Sequence, residues 1–188
     1  MPLRFWQRWR AERVQQQRAA RYIRGLQREP AADEVEWLTR VATSGDADHA
    51  RWELRYARRA LGLLVAERDA LDDRTASLVA RELTGSLARD PHVAAGMLPV
   101  AERQLNARLR VYGEALARRD GGRLVRARLG RALLTFAAGE GHAPGESDVE
   151  RAGDVLGRYL AEANQALRGE FGAAALPEDV APSAAARG

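Results

Sequence analysis

The stretch DADHARWELRYARRALGLLVAERDAL, residues 46–71, carries the hydrophobic period that sets the fold. Ala50, Leu54, Ala57, Leu61 and Leu64 recur at steps of four, three, four and three. That spacing lays them along one stripe of a helix, whereas a strand would alternate every second residue. Trp52, Tyr56 and Leu63 widen the stripe into a second apolar face, which predicts packing against more than one neighbour. Asp46 or Asp48 stands in front as an N-cap, its short carboxylate able to accept an orphan amide of the first turn.

The same period continues on both sides of this segment. Toward the C-terminus it predicts helices over 74–88, 100–118, 123–138 and 148–170. Asp72 or Asp73 caps the first of these, and Asp90-Pro91 restarts the chain with proline at a first helical position. DGG (120–122) closes the second of these, 100–118, and Ser147 with Glu150 forms an S-x-x-E capping box for the last. Toward the N-terminus lies a short helix over 31–43, stopped by Ser44-Gly45, and before it a long one over 3–28 that ends ahead of Pro30. No segment sustains a period of two. The expectation is an all-α bundle of about five main helices plus a short one, with an Arg/Trp-rich N-terminal helix. Its expected organisation is a basic aromatic helix (1–29), a helical bundle (31–171) and a disordered tail (172–188), the last being short of large apolar groups.

Composition narrows the chemistry. All 30 basic residues are arginine, Ile23 is the single isoleucine, and there is no cysteine. The alanine, arginine and glycine bias is that of a GC-rich genome. Without lysine there is no Schiff-base chemistry and no Walker-type phosphate lysine, and without cysteine no disulfide or thiolate metal site. The longest uncharged run, residues 91–101, is interrupted by proline and far short of the roughly 20 residues that span a bilayer. No apolar segment of signal-peptide type follows the first arginines, so the expected location is cytoplasmic.

Charge is unevenly placed. Residues 1–30 hold eight arginines against two acids, and residues 118–131 hold six against one. Residues 132–188 reverse the sign, with nine acids against four arginines. In the first basic segment Phe5, Trp6 and Trp9 share a face, beside a stripe that includes Arg10, Arg13, Arg21 and Arg24. Past the polar run Gln15–Gln17 the apolar face rotates to Ala19, Tyr22, Ile23 and Leu26. In the second, Arg123, Arg126, Arg128 and Arg131 lie opposite Val125, Leu129 and Phe136. This face reads either as a phosphate-binding surface or as the charge partner of the acidic helix that follows.

Candidate catalytic chemistry is thin. His49 and Glu53 share one face of the central helix and are weak candidates for metal ligands, but no Glu-x-x-His pair accompanies them. His92 and His142 have no nucleophile or carboxylate at a telling spacing. There is no G-x-S-x-G, G-x-G-x-x-G or Walker motif, so no catalytic residue and no cofactor is expected. The function expected is a non-enzymatic interaction or adaptor protein. It would dock to another protein, or to an anionic membrane surface, through Phe5, Trp6, Trp9, Arg10, Arg13, Arg21 and Arg24. The alternative is a nucleic-acid-binding module using both arginine patches, and a metal-binding or enzymatic bundle comes third.

Overall fold

A computed structural model describes residues 2–70, 72–118, 121–138 and 143–172, with the side chains of residues 2–8 and of Ala95 left aside. Seven α-helices account for these residues: α1 (Pro2–Leu26), α2 (Ala32–Val41), α3 (Ala47–Asp69), α4 (Asp73–Ala88), α5 (Leu98–Ala117), α6 (Gly122–Ala138) and α7 (Glu146–Phe171). No strand occurs among the described residues. The expected tail falls, beyond Gly172, outside them.

Helix α3 is the hub, touching each of the other six. Ala50, Leu54, Ala57 and Leu61 are wholly buried as their spacing requires, and Tyr56 and Leu63 are buried on the second face. Leu64 is only half-buried against Gly113, and Val65 takes the inner position instead. Encirclement has an electrostatic consequence. A helix surrounded on all sides buries its charged residues too, and Glu53, Arg55 and Arg59 are all nearly inaccessible. Each is paired: Glu53 with Arg108 of α5, Arg55 with Glu29, and Arg59 with Asp90. Removing a charge from water costs several kcal/mol unless a partner and further hydrogen bonds offset it, so these pairs are conditions of the packing.

Helix ends follow local chemistry. Asp46 caps α3 by accepting the His49 amide at 2.9 Å, and Asp72 caps α4 by accepting that of Thr75 at 2.7 Å. Ser44 (φ 52°) and Gly45 (φ 95°) turn the chain after α2 in the left-handed region, where glycine carries no Cβ penalty. Two expectations need correction. Pro91 does not restart a helix; the Asp90 carboxylate accepts the His92 amide at 3.0 Å and binds Arg59, which holds residues 90–93 in a turn. A single 3-10 turn, Ala95–Met97, leads into α5 instead. Nor does Ser147 cap α7. The helix begins two residues earlier, on the Gly145 carbonyl, which accepts the amides of Asp148 and Val149 at 3.1 and 3.0 Å.

Helices α6 and α7 share the most extensive packing among the described helix pairs. At their crossing Gly130 lies against the Val149 carbonyl and Gly153 against that of Arg126, so the two backbones touch without intervening side chains. Leu129, Leu133 and Leu134 from α6 and Val149, Ala152 and Leu156 from α7 are buried around this crossing.

Candidate functional site

Helix α1 divides into two halves at the polar run. Its second half belongs to the bundle: Ala19, Tyr22, Ile23 and Leu26 are buried in the common core. The Tyr22 hydroxyl donates to the Gly62 carbonyl at 2.7 Å, and burial pushes its pKa well up, keeping it a neutral donor. Arg21 forms an ion pair with Glu170 of α7 at 2.9 Å, which fastens the same half from the other side.

The first half is different. Arg10, Arg13 and Val14 are exposed, and Trp9 is 41 % exposed. The Arg13 guanidinium sits 4.2 Å from the centre of the Trp9 ring, a cation–π contact that places the charge beside the ring. Glu12 reaches Arg74 at the start of α4 at 3.4 Å, an ion pair open to water on both sides. The Phe5 and Trp6 side chains lie outside the described residues. Of the seven residues expected to dock, Trp9, Arg10 and Arg13 therefore form an outward-facing group. Arg21 is committed to α7, and Arg24 lies at the rim of a cavity.

That cavity, about 420 Å³, opens where α1, α3 and α4 converge on the 90–92 turn. Arg24, Arg55, Arg59, Arg89 and His92 line it together with Glu29, Glu82 and Asp90. Three of the four guanidiniums are matched: Arg55 with Glu29 at 2.5 Å, Arg89 with Glu82 at 2.6 Å, and Arg59 with Asp90. Asp90 is nearly buried, and burial alone would raise its pKa. The His92 amide and the Arg59 guanidinium outweigh this and hold the carboxyl below its ordinary value. The pairs cross-link three elements, and the cavity has no concentrated sign of charge.

Arg123, Arg126, Arg128 and Arg131 lie together on α6, as their spacing requires. Three of them, Arg123, Arg126 and Arg131, share a groove with Glu146, Glu150 and Asp154 of α7. Three cations face three carboxylates, and Arg123 pairs with Glu150 at 3.7 Å. Arg128 turns its Nε toward the Leu124 carbonyl at 3.4 Å. Leu124 stands at the edge of the groove, 59 % exposed.

His49 and Glu53 are brought together, with His49 Nε2 3.4 Å from Glu53 Oε1. Both Glu53 oxygens, however, accept from Arg108, at 2.5 and 3.1 Å. One guanidinium occupying both oxygens opposes the approach of a cation. Among the described residues no cluster of three His, Asp or Glu side chains is placed to hold a metal ion. His142 lies outside the described residues.

Two polar centres have no trace in the sequence. Arg108 lies 4.2 Å from the Phe136 ring centre and 5.2 Å from that of Tyr56, with its remaining donors on Gln104. Glu34 of α2 accepts from the Tyr159 hydroxyl at 2.5 Å and from Arg158 at 2.8 Å. It also accepts the Ala31 amide at 3.3 Å, capping its own helix. Burial and the Glu34 hydrogen bond both raise the Tyr159 pKa. The partners are separated by 55 residues in the first case and more than 120 in the second, beyond any local pattern.

No known protein family, curated protein or solved structure matches this chain. Among the described residues no helix is long and apolar enough to cross a membrane. The class defined is an all-α bundle with one helix half integrated and half displayed.

Proposed function

We propose that this chain is a non-enzymatic adaptor of the cytoplasm that docks to a partner protein through the first half of α1. One observation carries the reading: α1 is anchored by Tyr22, Ile23 and Leu26 while Trp9, Arg10, Arg13 and Val14 stay accessible on the same continuous helix. An anchored helix presents its exposed turns with little left to order, which lowers the entropic cost of association. Tryptophan and arginine are the residue types that dominate binding energy at protein interfaces. The arrangement suits a partner groove with an apolar floor for Trp9 and carboxylates at the rim for Arg10 and Arg13.

Deleting residues 1–29 would strip Ala19, Tyr22, Ile23 and Leu26 from the core, so the test is made by substitution in the full chain. A photo-crosslinking amino acid placed at position 10 is expected to trap a discrete protein in producing cells, whereas the same group at the exposed position 106 is not. Trp9→Ala with Arg13→Glu should abolish that adduct. An adduct unaffected by the double substitution, equal trapping from both positions, or an adduct digested by nuclease would overturn the reading.

A further inference from the structure

From the α6/α7 face we infer that this chain associates with a second copy of itself, through a two-fold interface distinct from the displayed half of α1. The groove between α6 and α7, about 510 Å³, has a cationic bank on one helix and an acidic bank on the other. Among the described residues the banks are bridged within the chain by the single long Arg123–Glu150 contact. Among the described residues Arg126, Arg131, Glu146 and Asp154 make no ion pair with one another or with any other group. The reason is geometric. The glycine crossing draws the two backbones together underneath, and side chains leaving such a crossing diverge toward solvent.

Unmatched charges of opposite sign on adjacent parallel ridges form a self-complementary surface. A two-fold axis running along the groove exchanges left and right, so α6 of one copy faces α7 of the other at the same height. Every arginine of the first bank then meets a carboxylate of the second copy, twice over, as an isologous contact requires. An axis across the groove would set arginine against arginine, and like charges at an interface cost several kcal/mol. Charge pattern therefore selects one symmetry. The same docking covers Leu124, the most exposed large apolar side chain among the described residues, and supplies an apolar contribution that charges alone lack. A groove of this size with a single large apolar residue gives a modest, salt-sensitive dimer, since screening weakens exposed ion pairs.

The test uses two charge-reversed forms of the full chain: Arg126→Glu/Arg131→Glu on α6, and Glu146→Arg/Asp154→Arg on α7. In sedimentation equilibrium at low salt, the natural chain is expected to show reversible dimerisation from its 20.7 kDa monomer. Each reversed form alone should dimerise at least about tenfold more weakly, because both of its contacts pair like charges. An equimolar mixture should regain natural affinity, because in the mixed dimer both contacts pair opposite charges again. Intramolecular strain from the reversals is the same alone and in the mixture, so rescue by mixing reads the interface and not the fold. A monomeric natural chain, a dimer that persists through both reversals, or a mixture that fails to regain affinity would overturn the inference. Trp9→Ala should leave the dimer intact, so failure here is separable from failure of the docking reading.

Discussion

Replacing Gly130 by alanine tests the crossing that organises the α6/α7 face. A Cβ at this position would lie 2.2 Å from the Val149 carbonyl oxygen and 2.9 Å from the Gly153 nitrogen. The first distance is 0.8 Å below the 3.0 Å that real Cβ atoms keep from a neighbour, and both obstacles are backbone. Neither can rotate away, so the helices must separate by about an ångström and loosen the contacts of Leu129, Leu133 and Leu156. Overpacking of this kind costs about 1–3 kcal/mol. Alanine's better helix propensity returns up to about 1 kcal/mol. The net expectation is a loss of roughly 1–2 kcal/mol, or about 2–8 °C in Tm for a chain of this length. Urea unfolding followed by circular dichroism measures it. The matching control is Gly169→Ala in α7, where an added Cβ meets nothing within 4 Å and the position is exposed. There only the propensity gain remains, and stability should rise by up to about 1 kcal/mol. If Gly130→Ala proves neutral or stabilising, as Gly169→Ala should be, the close crossing does not exist in solution.

Three further outcomes follow from the buried charges and caps. Glu53→Ala should cost about 3–5 kcal/mol by leaving Arg108 unpaired in the core, whereas Glu53→Leu combined with Arg108→Met should cost far less, both read by urea unfolding. Asp90 is held below its ordinary pKa, so its contribution is complete above about pH 4 and is lost as pH falls through the folded-state value. Asp90→Asn should therefore flatten the acid limb of the stability–pH curve, and an unchanged limb would refute the pairing with Arg59. Asp46→Ala removes the α3 cap and should cost about 1 kcal/mol, with loss of amide protection at His49 under hydrogen exchange.

The helices were legible because each buries one stripe, and a stripe is a local property. Eight positions along α3 were enough to place that helix inside, and the structure packs all six other helices against it. The buried ion pairs were not legible for the complementary reason. Arg108 looks like any arginine of an exposed face until α3 and α6 close over it with Glu53 and Phe136. Its environment is made by residues 28 and 55 positions away. Helix starts were misread where two chemistries compete for one side chain. Asp90 has the signature of a helix cap, but Arg59 and the His92 amide take its carboxylate. Ser147 has a capping partner at Glu150, but the preceding glycine already supplies an extended residue whose carbonyl starts the helix.

The sequence of α1 also contained the division on which the functional reading depends. A helix meant to pack along its whole length keeps its apolar residues on one side. Here they occupy one face up to Trp9 and another from Ala19 onward, with three glutamines between. One rigid helix cannot turn both faces to the same core. The set Ala19, Tyr22, Ile23 and Leu26 wins the bundle because it is buried in the common core where α1 packs against α3, α4 and α7, and gains a hydrogen bond from Tyr22. The side of α1 that carries Trp9 is then rotated away from the core by the helix itself. Exposure of Trp9 is thus a consequence of where Tyr22 and Ile23 are buried. Inserting a single residue within the glutamine run would turn the first half by about 100° relative to the second. In the crosslinking assay the adduct from position 10 should then disappear while the melting transition of the bundle stays near its original value. Retention of the adduct would mean that the first half is read as a charged strand of sequence and not as a face.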